Sequence, residues 1–169
     1  MPNPRDVFDD PETHWGFIIS PTDNQFECQH FDRKEAGRPD AENQISGSAL
    51  NGIKRQCVEC ISAFSNENRD GGLLVIGVSS SGEVKGISHL SESQLNSITA
   101  FNDLLRNQAA SARIIECQAN DGSTDKILLI FTPYSENGIC ETLERSPKAW
   151  YRSGKQNLTV TEHNGVQNF

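Results

Sequence analysis

The stretch ISAFSNENRDGGLLVIGV, residues 61–78, joins the end of an amphipathic helix to a buried strand. Apolar side chains recur with helical spacing through residues 49–66 and define one face of a helix. Residues 73–78 form a short, branched apolar run that is typical of a strand buried on both faces. Gly71 and Gly72 favour a tight reversal between them, because glycine adopts left-handed backbone without steric cost. The helix is therefore predicted to pack on a sheet whose central strand is 73–78. Its apolar face comprises Ile53, Cys57, Cys60, Ile61 and Phe64.

The flanking sequence predicts an α+β domain with a mixed β-sheet and two main helices. Ser91 and Gln94 form a capping-box pattern ahead of a second amphipathic helix of about four turns. The Asn-Asp-Gly sequence at 120–122 predicts a hairpin between strands at 112–119 and 126–132. Further strands are predicted at 26–31, 83–86, 149–152 and 158–161, with loops at 33–47 and 135–147.

The chain is expected to form one domain, residues 26–162, between an N-terminal arm, residues 1–25, and a tail, residues 163–169. The arm contains four prolines and five acidic residues. This composition predicts a wrapping segment with little regular structure. The tail carries no structural stop signal, which leaves open that the chain is the N-terminal part of a larger regulator.

Composition narrows the functional classes. No apolar run approaches the roughly 20 residues of a membrane span, and the first residues lack the apolar core of a signal peptide. The five cysteines are odd in number and lie mostly in apolar patterns, which predicts reduced thiols in a cytoplasmic protein. The net charge of −8 opposes nucleic-acid binding by bulk attraction. Acidic residues predominate in residues 1–50, however, with ten Asp/Glu against four Lys/Arg. The composition therefore allows a local basic surface formed by later residues.

The CVEC sequence at 57–60 matches the spacing of a zinc or redox motif. It lies inside the helical apolar pattern, and no second Cys/His pair follows at suitable spacing. Both thiols are therefore predicted to act as small buried hydrophobes.

Three motifs in the same order resemble the Schlafen-type Alba-like domain. They are the opening FDRKE at 31–35, the helix end AFSN with the paired glycines, LLVIGV and GEVKGI through residue 87, and the closing AWYRSG at 149–154. The resemblance covers residues 27–161, approximately. It implies a domain that binds DNA or RNA, and one fold supports several activities.

Nuclease members of this family use a similar pair of carboxylates, with a third acid after the central strand, for metal-assisted RNA cleavage. Under this alternative the resemblance implies Glu27 and Asp32 as catalytic ligands of Mg²⁺ or Mn²⁺, with Lys34 on the scissile phosphate. The third acid is replaced here by serines at 79–81, which supply no charge to a divalent cation. Alternation along a strand would also point Glu27 and Asp32 to opposite faces unless a bulge intervenes. No metal or other cofactor is therefore expected, and the simpler role for Asp32 is local pairing with Lys34.

The leading interpretation is a non-catalytic nucleic-acid-binding domain, of the kind found in transcriptional regulators. Basic side chains neutralise phosphates, and aromatic faces such as Trp150 stack on unpaired bases. A third alternative is a protein-interaction module that uses the acidic arm, and no membrane partner is expected. The predicted nucleic-acid contacts are Arg33, Lys34, Asn66, Gly71, Gly72, Tyr151, Arg152 and Lys155.

Overall fold

A computed structural model of the chain describes residues 1–21 and 26–159. Helices and a mixed sheet confirm the predicted α+β class. Within the described ranges, no helix is both long and apolar enough to cross a membrane. The described helices are α1 (Pro4–Asp9), α2 (Trp15–Ile18), α3 (Gly47–Glu67) and α4 (Glu92–Thr99); the strands are β1 (Phe31–Lys34), β2 (Gly72–Ile76), β3 (Leu105–Arg106), β4 (Ser111–Gln118), β5 (Thr124–Thr132), β6 (Glu141–Thr142), β7 (Trp150–Ser153) and β8 (Gln156–Thr159).

The main sheet has the strand order β1-β2-β5-β4. β1 runs parallel to β2, whereas β2 with β5 and β5 with β4 are antiparallel. The remaining described strands form two small antiparallel pairs, β3 with β6 and β7 with β8. β2 is buried along its whole length, as the unbroken apolar run predicts.

Helix α3 forms where the apolar spacing places it. The Ser46 hydroxyl caps its first turn by accepting from the Ala49 N–H at 3.1 Å. The predicted face is confirmed, since its five apolar residues are all buried in one core together with Leu74 and Ile76 of β2. The helix extends slightly beyond the predicted 49–66.

The paired glycines let α3 and the sheet approach each other closely. Gly71 has a φ of +77°, and a Cβ there would lie 2.7 Å from the Thr132 carbonyl oxygen. A Cβ on Gly72 would overlap the ring of Phe64. Backbone conformation and packing therefore both require glycine at this reversal.

The N-terminal segment is more regular than its composition predicts, so the expected irregular structure is wrong. Asn3 caps α1, with Pro4 at the first helical position. Val7, Phe8 and Ile18 are buried against the sheet face opposite α3. Their apolar side chains make this segment the cover of a second core. Its described acidic residues are exposed, whereas Pro4 and Pro11 are buried.

Several other boundaries differ from the sequence prediction. The strand predicted at 26–31 is wrong: residues 27–30 form bends, and β1 begins only at Phe31 and continues to Lys34. The strand predicted at 83–86 is reduced to one bridge between Val78 and Val84. Helix α4 has the predicted capping box, but it ends at Thr99 and a 3₁₀ turn follows, so the predicted four turns are wrong. The predicted loop at 135–147 contains β6, while the hairpin of β4 and β5 is confirmed.

Replacing Phe64 by alanine should lower the free energy of unfolding by about 3–5 kcal/mol, because the ring is fully buried between α3 and Gly72. Urea denaturation followed by circular dichroism measures the change. The matched control is Ile114→Ala on β4, where the side chain is 47% exposed and the effect should stay within about 0.5–1 kcal/mol. Equal losses for the two variants would contradict this packing.

Candidate nucleic-acid interface

Asp32 on β1 is a buried carboxylate with donors on both oxygens. Its Oδ1 accepts from the Arg33 backbone N–H at 2.8 Å and lies 3.4 Å from Lys34 Nζ. Its Oδ2 accepts from Arg152 Nη1 at 3.1 Å and from the Cys60 thiol at 3.6 Å. The local pairing of Asp32 with Lys34 is present, and Arg152 adds a second cation that the sequence did not predict.

All five N–H groups of Arg152 on β7 donate hydrogen bonds to acceptors inside the protein. Nε and Nη2 donate to the Cys28 carbonyl at 3.1 and 2.8 Å, and Nη2 also donates to the Phe31 carbonyl at 3.0 Å. Nη1 donates to Asn157 of β8 at 2.8 Å as well as to Asp32. The side chain has no exposed surface. In this arrangement Arg152 holds the β7–β8 hairpin against β1. Because it is buried, its guanidinium cannot contact a nucleic-acid phosphate in this structure.

Arg33 is buried on the other face of the sheet, because neighbouring residues of a strand point to opposite sides. Its guanidinium donates to the Ile18 carbonyl at 2.9 Å and to the Ser80 carbonyl at 2.7 Å, and it lies over the Phe26 ring. The serines at 79–81 therefore lie in a turn whose Ser80 carbonyl accepts a hydrogen bond from Arg33.

Asn66 and the paired glycines also serve internal contacts. The Asn66 amide donates to the carbonyls of Cys140 and Trp150 at 2.9 and 3.0 Å and accepts from the Cys140 N–H at 2.7 Å. Gly71 and Gly72 are buried. Among the predicted contacts, Lys155 is exposed, and Lys34, Asn66 and Tyr151 are half-buried.

Glu27 and Lys34 line one groove of about 390 Å³ beside the first half of α3. Asp32 does not line it, and its oxygens already accept from protein donors. A divalent cation needs several available oxygen ligands, so these residues do not fit the two-carboxylate metal site that the family resemblance implies. In the part of the chain that the structure describes, no group of three or more His, Cys, Asp or Glu side chains is placed to hold a metal.

A second groove, of about 400 Å³, lies between α3 and the segment that precedes β7. Trp150 lines it together with the cations Lys54, Arg55 and Lys148. We call it the tryptophan groove. Three acidic residues also line it, so its charge is mixed. Sequence reasoning missed these cations, although the adjacent Lys-Arg at 54–55 falls off the apolar face of α3 and provided a signal. The acidic lining residues are Glu59, Asp103 and Glu144.

The CVEC cysteines point into the core, as predicted. Cys57 and Cys60 are both buried and free. Burial raises the pKa of the Cys60 thiol to about 12, and the nearby Asp32 carboxylate adds to the effect. Burial likewise raises the pKa of Cys140 to about 11. These thiols stay protonated near neutral pH and are poor metal ligands and nucleophiles.

The fold therefore defines an α+β domain whose closing aromatic-arginine strand is tied to its opening strand. Residues 27–161 match the family model described as Schlafen, AlbA_2. The chain belongs to this family, as its motifs predict. A search of curated proteins finds no match.

Replacing Arg152 by methionine should destabilise the fold by about 3–5 kcal/mol, because it leaves the buried Asp32 carboxylate without its principal cation. Chemical denaturation measures the loss. Lys155→Met is the matched control, since that side chain is exposed in the turn of the same hairpin and should change stability by only about 0.5 kcal/mol. An Arg152→Met protein as stable as the wild type would contradict the bracing role.

Cys60 and Cys140 should resist alkylation by iodoacetamide at pH 8 in the folded protein. With a pKa of about 12, about one Cys60 thiol in ten thousand is ionised at that pH. Mass spectrometry of peptides labelled before and after unfolding in guanidinium measures the difference. Rapid labelling of Cys60 without denaturant would show that the thiol is not held as described.

Proposed function

We propose that this domain binds nucleic acid, and that an unpaired strand crosses the tryptophan groove. One observation carries the proposal: an indole and three cations line a single open groove beside α3. The Schlafen, AlbA_2 family match supports a nucleic-acid-related function in general terms.

The groove offers the two interactions that single-stranded nucleic acid uses. Lys54, Arg55 and Lys148 can neutralise successive phosphates, and the half-buried Trp150 ring can stack on one base. A base inside a duplex is already stacked, which favours an unpaired strand. The acidic residues of the groove and the net charge of −8 keep the attraction weak and sensitive to salt.

The proposal also keeps three of the contacts predicted from the sequence, none of which lines the tryptophan groove. Lys34 is 35% exposed beside Asp32, and Lys155 is exposed in the turn between β7 and β8. Tyr151 is the half-buried aromatic next to Trp150. Arg33, Arg152 and Asn66 are left out of the proposed contacts, since each is held by carbonyl or carboxylate partners inside the domain.

We also propose a reducing, cytoplasmic setting for the protein. All five cysteines are free, and Cys57, Cys60 and Cys140 are buried. Such a set is typical of proteins kept in a reducing compartment.

The salt dependence of binding to labelled oligothymidine and oligouridine, measured by fluorescence anisotropy, tests the proposal. Three phosphate contacts on a single strand predict a slope of about −2 in log K against log salt, at about −0.7 for each contact. Lys148→Ala should flatten the slope by about 0.7. Trp150→Leu should weaken binding by about 1–3 kcal/mol with little change in slope.

Lys126→Ala is the matched control, because this lysine is exposed on β5 and does not line the tryptophan groove. Its slope and affinity should equal those of the wild type. The proposal fails if no binding appears at low salt with micromolar protein. It fails equally if Lys148→Ala and Lys126→Ala have the same effect.

A further inference from the structure

Strand β4 forms an open edge of the main sheet. Among the described residues it pairs only with β5, through eight consecutive residue pairs without a bulge. Natural sheets protect such edges with charged side chains, especially lysine, or with proline, bulges or a covering segment. The strand sequence SARIIECQ contains no lysine and no proline; its charged residues are Glu116 and Arg113, whose guanidinium is hydrogen-bonded to backbone carbonyls. Its edge is therefore able to accept another strand.

The register shows which backbone groups point outward from β4. The Ala119 N–H donates to the Ser123 carbonyl at 2.8 Å, which marks a hydrogen-bonded position at the hairpin end. Such positions recur every second residue in an antiparallel pair. The alternate residues consequently direct both N–H and C=O away from β5, and in the described chain these groups make no backbone hydrogen bond. The outward residues are Ala112, Ile114, Glu116 and Gln118.

A groove of about 830 Å³ runs along this edge. The segment from Asp9 to Glu12 and the ring of Trp15 form its other wall. Arg113 fixes that wall, since it donates to the carbonyls of Phe8 and Asp9 at 2.7 and 3.2 Å. The groove therefore lies between a free strand edge and a segment anchored beside it.

The charges of this groove favour one kind of occupant. Asp9, Asp10, Glu12 and Glu116 line it. A hydrogen bond from the Thr13 hydroxyl lowers the pKa of Asp10. The guanidinium of Arg113, the cation among the lining residues, is already hydrogen-bonded to backbone carbonyls. A second copy of this chain would bring two acidic edges together, whereas a basic segment would complement them.

We propose that β4 receives an extended basic segment of a partner protein as a fifth strand of the sheet. Backbone hydrogen bonds to the four outward residues supply the pairing. Lysine or arginine side chains on alternate residues meet the groove carboxylates, and apolar residues between them cover Ile114, which is 47% exposed. This surface is separate from the tryptophan groove. In this proposal, the acidic residues of the N-terminal segment bind the basic side chains of the partner.

Amide hydrogen exchange with a synthetic eight-residue peptide of alternating lysine and valine tests the proposal. The peptide should slow exchange of the four outward amides by about tenfold or more, with little change at the inward Arg113 and Ile115 amides. A glutamate–valine peptide of the same length is the matched control and should give no protection. Ile114→Pro should abolish the protection and keep the fold, because it removes an outward donor without breaking a bond to β5.

Three results would overturn the proposal. One is the absence of protection at millimolar lysine–valine peptide. Another is equal protection by the acidic peptide. The third is a free protein that sediments as a dimer with the outward amides already protected, which would assign the edge to a second copy of the chain. Circular dichroism of Ile114→Pro monitors folding, and Ile114→Lys, which guards the edge without altering the backbone, should weaken the protection as well.

Discussion

The buried pairing of Asp32 with Arg152 is the interaction on which the rest of this domain depends. It joins β1, near the start of the family match, to β7, near its end. A charge withdrawn from water is tolerated only when it is paired and hydrogen-bonded. Arg152 meets that condition with five donors in use, and its guanidinium lies 5.1 Å from the centroid of the Phe64 ring. Phe64 in turn packs on Gly72, so the ion pair, α3 and β2 form one contiguous unit.

The residues of the family motifs divide into buried side chains that hold the fold together and side chains that reach the surface. The opening and closing motifs contribute their buried members, Arg33 and Arg152, to hydrogen bonds with backbone carbonyls. Of the other motif residues, Glu35 is exposed, Lys34 and Tyr151 are half-buried, and the half-buried Trp150 lines the tryptophan groove. Lys155, which follows the closing motif, is exposed. Under the proposed function, this buried interior supports the strand that carries Trp150, and a preorganised site loses less entropy on association.

Local patterns predicted much of the fold and little of the candidate site. The apolar face of α3, the buried β2 and the hairpin at 120–122 all follow from periodicity within a few residues. The start of β1 was missed because the bends at 27–30 have no distinctive composition. The burial of Arg152 was missed because its partner Asp32 lies 120 positions earlier in the chain. In the local sequence, an arginine next to two aromatic residues suggests a surface-exposed binding role. Only the tertiary contacts show that this arginine is buried.

The fluorescence of Trp150 tests the central claim, that nucleic acid lies in the tryptophan groove and not on the buried Asp32–Arg152 pair. The chain has two tryptophans, so a Trp15→Phe variant reports on Trp150 alone. Titration with oligothymidine at low salt should quench this emission, and added salt should reverse the quenching as the strand dissociates. Binding by anisotropy with unchanged Trp150 emission would place the strand elsewhere and contradict the account.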